Sequence, residues 1–534
     1  MKSFSEDGGG KMGRRYYKNK GNQNQGKQTQ EKDERENFSL TLFADLEKNI
    51  TNLKNTLSEP NDLVVREFTV RNSSHKCAIV YIDGLVNTDE VYSTALKNVQ
   101  LVTERKEIPT DTTELFETIY QTIISQADIT KSDSLDELVN SLLYGMTIFY
   151  LDGLDKVMIM DTREWEGRSI EEPMSEKVIR GSREGFVESL RTNMVLIRRY
   201  IRDPNLCFET FSVGRRSKSS LVLTYINGII NPKLVKEIKR RLKTIDMDSA
   251  LESGFIEQWV EDSFLSPFPQ ITSTERPDRV AASLLEGKFA IILDGTPFVL
   301  TAPTIFGNAL QSTEDYYERW TIGTLLRSLR YVAAFIAVFL PGLYIALVGF
   351  HPGMIPSQLT FSIAATREGV PFPAFIEATL MVVTMELLRE AGARLPTTLG
   401  DTIGIVGGLV IGEAAVQAGI VSPIMVIVVA LNAIASFSIP QYSVAISFRI
   451  ILFGYMICAA FLGLFGIILA YIMTNIHIVN LRSVGVPYST PFSPTFRSDW
   501  MDLVLRMPVP MITRRPGYLD TEDPVSGDTG GDQS

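Results

Sequence analysis

The chain's hydrophobic pattern divides near residue 320. Before it, short apolar runs of strand length alternate with amphipathic stretches, which is the pattern of a soluble α/β protein. After it, the apolar runs lengthen to twenty residues and more. In the first part AIVYIDG and VLTYING are β-rich runs closed by Asp-Gly or Asn-Gly, and ELFETIYQTIISQ and DELVNSLLYG have helical spacing. In the second part residues 331–350 carry no charge and are long enough to cross a bilayer core. Pro341 predicts a kink there, which membrane helices tolerate.

The soluble part repeats itself. Tyr81, Ile82, Gly84, Asn87 and Val91 match Tyr225, Ile226, Gly228, Asn231 and Val235, and SLLYGMTIFYLDG matches SLLEGKFAIILDG at nearly the same offset. Two independent matches at one offset predict two related subdomains in tandem. Asp152-Gly153 and Asp294-Gly295 each sit between two apolar runs and predict hairpins. Asp83, Asp152 and Asp294 are read as turn residues rather than metal ligands, because no second carboxylate stands at ligand spacing. Between the repeats, Phe186, Leu190, Met194, Ile197 and Ile201 predict an amphipathic helix. Its other face carries Arg191, Arg198, Arg199 and Arg202, suited to an anionic partner or to salt bridging.

In the apolar part five segments are candidate membrane helices: 331–350, 371–392, 402–421, 423–440 and 450–473. Arg319, Arg327 and Arg330 precede the first, and arginines dominate the tail, so both flanks are read as cytoplasmic. Two ends on one side require an even number of crossings. Demoting the charged 371–392 segment to a half-buried or re-entrant helix leaves four; a split or missed crossing gives six. Glu386, Glu390, Glu413 and Asn432 are polar groups within these segments and are candidates for a pore or gate, or equally for helix contacts. Gly404, Gly408 and Gly412 step by four and form a smooth packing stripe.

The stretch QSTEDYYERW joins the halves. On a continuous helix Glu314 and Glu318 share a face, Asp315 pairs with Arg319, and Tyr316 stands beside Trp320. With Tyr317, these residues are read as a juxtamembrane collar that couples the two halves.

Composition narrows the function. The net charge of -10 disfavours a nucleic-acid partner. The three cysteines lack CxxC spacing and the three histidines are scattered, which argues against a disulfide framework, a zinc site or a histidine-based catalytic motif. No phosphate-loop, dinucleotide or nucleophile-elbow pattern occurs, so no cofactor and no enzymatic activity are expected.

The expected organisation is a disordered polar tail (1–37), a first α/β subdomain (38–165), a linker with the basic helix (166–215) and a second α/β subdomain (216–310). A collar (311–330), a membrane domain (331–475) and a cytoplasmic C-terminal tail (476–534) follow. The fold class is thus a soluble α/β N-terminal half of two related tandem subdomains, followed by an all-α polytopic membrane domain.

Four stretches together, RGSREGFVESLRTNMVLIRRYIRDPNL, YINGI, QSTEDYYERW and PTTLGDTIGIVGGLVIGEAAV, resemble the A subunit of GerA-type spore germinant receptors. The resemblance runs from about residue 40 to 515. It departs from the family where Thr313 replaces a proline common before Glu314. The resemblance implies a multi-pass subunit of the spore inner membrane that works with a permease-like B subunit and a lipoprotein C subunit. It implies nutrient sensing that triggers germination and ion release, and a homo-oligomer acting as a ligand-gated ion channel. A non-conducting scaffold of the same receptor is the alternative, and a secondary transporter is a third reading. The latter is disfavoured because the duplication lies in the soluble half.

Overall fold

In the computed structural model, residues 42–527 are described apart from 59, 71–74, 92–110, 124–128, 164–171, 174–175, 177, 395–407, 409 and 504. The expected polar tail 1–37 and Gly404 lie outside the described residues.

The α/β half contains two five-stranded antiparallel sheets of one topology. The first has strand order β1-β2-β4-β5-β3, from β1 (Leu63–Thr69), β2 (Lys76–Ile82), β3 (Ile129–Ser132), β4 (Thr147–Leu151) and β5 (Val157–Met160). The second repeats it as β6-β7-β9-β10-β8, from β6 (Leu206–Val213), β7 (Ser219–Ile226), β8 (Thr272–Thr274), β9 (Phe289–Leu293) and β10 (Val299–Ala302). The expected hairpins are β4–β5 and β9–β10, with Gly153 and Gly295 at positive φ in their turns. Helices cover both faces of each sheet, so the central strands are apolar on both sides. In β2, Ala78, Val80 and Ile82 pack under α1 (Leu46–Thr56) and α3 (Leu135–Leu143), while Cys77, Ile79 and Tyr81 pack against α2 (Thr112–Ile123). The second sheet packs between α4 (Leu190–Tyr200) with α7 (Pro277–Glu286) and α5 (Pro232–Lys243) with α6 (Ser253–Val260).

The basic helix was expected in a linker ending at residue 215. It is α4, an integral element of the second repeat, and β6 already begins at Leu206. Its counterpart in the first repeat is α1, by matching bonds. Leu46 N–H donates to Asp152 as Leu190 N–H donates to Asp294. The Asn49 side chain clamps the Phe43 backbone as Asn193 clamps Val187. Three of the four arginines of the basic face engage the first repeat, while Arg199 pairs with Glu184 at 3.2 Å. Arg198 forms a buried two-bond pair with Asp62 at 2.8 and 3.0 Å, Arg191 pairs with Asp83 at 2.5 Å, and Arg202 lies over the Tyr144 ring. The two units are thus joined by charge, and Arg191 keeps 55% of its side chain exposed.

The helical half is a bundle of α8 (Trp320–Phe350), α9 (Ser357–Arg367), α10 (Ala374–Arg394), α11 (Pro423–Phe437) and α12 (Tyr442–Asn480), with a further helical stretch at 410–417. The charged segment, expected as a half-buried or re-entrant helix, is a 21-residue helix, α10, packed against α8, α11 and α12. At 1.5 Å per residue it is about 32 Å long. The last apolar run is not one crossing but a hairpin. Gly463 has φ 60 and ψ -138 inside α12 and turns the chain back on itself. The Tyr455 hydroxyl reaches Thr474 Oγ1 at 3.3 Å, nineteen residues away. In a straight helix those residues would stand roughly 28 Å apart. The turn rests on the end of α8, where a Cβ on Gly463 would come within 2.9 Å of Phe350 and His351.

The C-terminal segment was expected as a tail. Instead it folds back onto the second α/β unit. Ser483 Oγ bonds Gln270 O and Thr304 N, Leu503 fills the space above Gly307, and Glu522 N–H donates to Ile229 O.

Candidate functional site

The stretch between the halves is not one helix. Glu314–Tyr317 form a single turn, then Glu318 and Arg319 are extended before α8 starts at Trp320. This break separates Asp315 from Arg319 and overturns the expected i,i+4 pairing, along with the shared face of Tyr316 and Trp320. Asp315 points into the protein instead. Its Oδ2 accepts from Arg327 Nε at 3.1 Å and from Arg330 Nη1 at 2.7 Å, both on α8. Asp315 and Arg327 have no solvent exposure.

Arg327 also reaches the C-terminal segment. Its Nη1 donates to Asp502 Oδ1 at 3.0 Å and to Asp502 O at 2.7 Å. The Tyr316 hydroxyl donates to Asp502 Oδ2 at 2.7 Å, and Gln311 Nε2 donates to Asp502 O at 2.6 Å. Buried Arg506 donates to the backbone oxygens of Tyr316 and Glu318 at 3.2 and 3.3 Å. Three parts of the chain therefore meet in one ionic junction: the connector, the first bundle helix and the C-terminal segment. The remaining connector residues bind the α/β half. The Tyr317 hydroxyl donates to Asp278, itself paired with buried Arg276, and Glu314 accepts from Ile179 N–H at 2.5 Å. Glu318 stands 3.9 Å from Arg180, and Arg319 and Trp320 are exposed.

The electrostatics favour holding over proton transfer. Desolvation around its hydroxyl pushes the Tyr316 phenol well above its usual range, and the neighbouring Asp502 charge adds to this, while the residue as a whole keeps 38% exposure. Burial also raises the Asp502 carboxyl, against the opposing pull of Arg327. Burial and the bond to Asp278 raise Tyr317. Among the described residues no cluster of His, Cys, Asp or Glu is arranged to hold a metal ion.

The four polar residues of the apolar half occupy different environments. Glu386 bridges Arg389 at 2.6 Å and Arg449 at 3.0 Å, tying α10 to α12. Glu390 pairs with Arg394 at 2.5 Å on an exposed face. Glu413 is exposed and accepts from Gln417 at 3.1 Å. Asn432 is buried in α11. Among the described residues no hydrogen bond or ion pair joins these four to one another. A Cβ on Gly412 would stand 3.5 Å from Val426 of α11, whereas one on Gly408 would face open space.

Sequence reasoning missed three members of these networks. Asp502 and Arg506 lie in a segment expected as a tail. Glu377 is fully buried, pairs with Arg367 at 2.9 Å and accepts Ser422 N–H at 2.9 Å at the start of α11. A carboxylate in an apolar stretch was its one sequence signal, and its partners are distant in the chain.

Comparison with known proteins gives a consistent result. The family model described as Bacillus/Clostridium GerA spore germination protein matches residues 51–518. The chain is 49% identical to spore germination protein GerLA of Bacillus cereus over 484 residues, 91% of this chain and 97% of that protein. It is 44% identical to spore germination protein KA of Bacillus subtilis over 487 residues, 91% of this chain and 89% of that protein. The crystal structure of the N-terminal domain of the A subunit of the Bacillus megaterium spore germinant receptor GerK3 is 36% identical, with a TM-score of 0.41. It covers 50% of this chain and 97% of that one.

Proposed function

This chain belongs to the GerA spore germination protein family, and from that premise we propose that it is the A-type membrane subunit of a nutrient germinant receptor whose helical half conducts ions when a partner subunit binds the nutrient. The partners are a permease-like B subunit and a lipoprotein C subunit, and the site of action is the spore inner membrane.

The placement of charge on the bundle carries this reading. Glu390 and Arg394 retain 60% and 78% exposure and Glu413 is exposed, on a half whose exposed surface is otherwise rich in large apolar side chains. A charge facing lipid costs several kcal/mol at mid-bilayer, so such a face meets water or another copy. Among the described residues, one copy does not supply a path by itself. Its interior is closed by packed Ala337, Ala378, Met425, Tyr455 and Ala459. A conducting path therefore requires a homo-oligomer with these faces turned inward.

We take six traverses for this subunit, α8, α10, the expected segment 402–421, α11 and the two arms of α12, of which α8 and α12 are long and apolar enough by composition to cross a bilayer. An even number leaves the α/β half and the C-terminal segment on one side, where they pack together, and the arginines at the start of α8 favour the cytoplasmic side.

The second reading is a non-conducting scaffold. The junction of Asp315, Arg327 and Asp502 favours it, because a rigid link transmits movement whether or not the bundle conducts. Purified subunit reconstituted in potassium-loaded liposomes separates the two. Flux whose ion selectivity changes in Glu413→Gln supports conduction. No flux from the subunit or from the complete receptor, when that receptor still responds to nutrient, sinks it in favour of the scaffold.

A further inference from the structure

Helix α6 and the loop after it leave an apolar strip uncovered on the α/β half. Phe255 and Trp259 on α6 are 49% and 41% exposed, and Leu251 just before it is 73% exposed. In the loop, Phe264 and Leu265 are each 82% exposed. The neighbouring face of α6, through Ile256 and Val260, is already buried in the second unit's core. The helix is thus apolar on two faces, and only one has a partner. Large apolar side chains exposed this close together in sequence mark an interaction surface.

Its position identifies what covers it. The same loop is bonded to the base of the α12 hairpin. The Ser447 hydroxyl on the first arm donates to Pro267 O, Ser266 Oγ lies 2.8 Å from His477 Nε2 on the second arm, and Phe268 stacks on the His477 ring. Two or three residues span at most about 7–11 Å, so Leu265 and Phe264 stand level with the foot of both arms. The outward faces of the arms there are themselves apolar. Ile446 and Ile450 on one, and Met473 and Ile476 on the other, are 37%, 57%, 64% and 56% exposed. The strip on the α/β half continues the belt on the bundle.

We propose that this strip is seated in lipid. Phe264 and Leu265 enter the acyl boundary of the leaflet nearest the α/β half. Trp259 lies at headgroup depth, its indole N–H donating to Thr244 Oγ1 at 3.3 Å. Tryptophan suits this zone because its body is apolar and its N–H is polar. The second α/β unit is then fixed to the bilayer at the point where it touches the hairpin, so a change in the leaflet acts on both together. The inference rests on the bundle being membrane-embedded.

Site-directed spin labelling of the full chain tests it in phosphatidylglycerol–phosphatidylethanolamine vesicles. Cys458→Ala removes the half-buried thiol, while Cys77 and Cys207 are buried and stay in place. Labels go on Leu265→Cys, on Ile450→Cys in the belt and on Arg216→Cys in the soluble half, all at exposed side chains. Power saturation compares access to oxygen, which partitions into lipid, with access to a water-soluble nickel chelate. The expected result is that the label at 265 follows the one at 450, favouring oxygen severalfold over the label at 216. A label at 265 that follows 216 overturns the proposal, as does one shielded from both reagents and broadened by a second spin, the mark of a neighbouring copy. If the label at 450 itself favours the nickel chelate, the membrane reading fails and the proposal falls with it.

Discussion

Asp315 and Arg327 meet at 3.1 Å with neither side chain exposed to solvent, and the arginine is held in turn by Asp502. Breaking a buried pair by removing one partner leaves the other charge uncompensated and typically costs about 3–5 kcal/mol. Arg327→Met should lower the melting temperature of the detergent-purified subunit and reduce its level in the membrane. Arg319→Ala removes an exposed side chain outside this network and should stay within about 0.5 kcal/mol of the parent. Equal melting temperatures for Arg327→Met and the parent would remove the junction's role in joining the halves.

The Arg198–Asp62 pair sets the contact between the two α/β units and is likewise buried, with side chains 2% and 5% exposed. Arg198→Ala should cost on the order of 3–5 kcal/mol in urea unfolding. The double change Asp62→Leu with Arg198→Met should recover most of that loss, because apolar replacements leave no stranded charge. A double variant as unstable as the single one would show that geometry, not charge balance, dominates there.

Gly463 carries the hairpin. Its φ of 60 and ψ of -138 lie where a side chain is strained, and a Cβ would meet Phe350 and His351 at 2.9 Å. Gly463→Ala should destabilise the subunit by at least about 1–3 kcal/mol and release α12 from the end of α8. Gly454 lies in the first arm with open space at its Cβ, so Gly454→Ala should be tolerated. Protease accessibility of the hairpin turn distinguishes the two.

Glu257 on α6 is pushed up to about 7 from 4.5, by burial first and by the nearby Glu261 charge second. The folded state therefore keeps a proton that the unfolded state releases between those values. The stability linked to this proton is complete below about pH 4.5 and is lost as the pH rises towards 7. At about 1.4 kcal/mol per unit, the loss is on the order of 3 kcal/mol. Glu257→Gln should flatten this part of the stability profile and gain most at pH 8. An unchanged slope would place Glu257 in a wetter setting.

Glu386 and Glu413 should separate structure from conduction. Glu386→Gln takes the charge from a group that Arg389 and Arg449 share, so it should lower thermal stability by a few kcal/mol. Glu413→Gln breaks no ion pair among the described residues and should leave the melting temperature unchanged while altering ion release. Loss of stability in Glu413→Gln, with normal ion release, would mark it as a packing residue.

Local pattern was enough for much of this. Tyr81 and Tyr225 marked the duplication because each repeat builds the same sheet from the same short strands. Asp152-Gly153 and Asp294-Gly295 marked the hairpins because few residues satisfy those turns. The apolar runs after residue 330 marked the helical half because their length exceeds that of ordinary strands and core helices. What stayed hidden were pairings between distant residues. Asp315 was assigned to Arg319 on the assumption of a continuous helix, and the extended Glu318 and Arg319 remove that register. Its actual partner is twelve residues on, and that partner's second acid, Asp502, is 175 residues further. The arginine face of α4 was visible, but the acids that neutralise it, Asp62 and Asp83, lie on the other repeat.

By itself the sequence determined the two halves, the repeat and the family, because each is written in local composition, periodicity and extended similarity. The tertiary structure alone decided which charges are buried together, that α12 doubles back at Gly463, and that the C-terminal segment closes the junction. Those outcomes depend on which surfaces exclude water from one another, and no single stretch of chain carries that information.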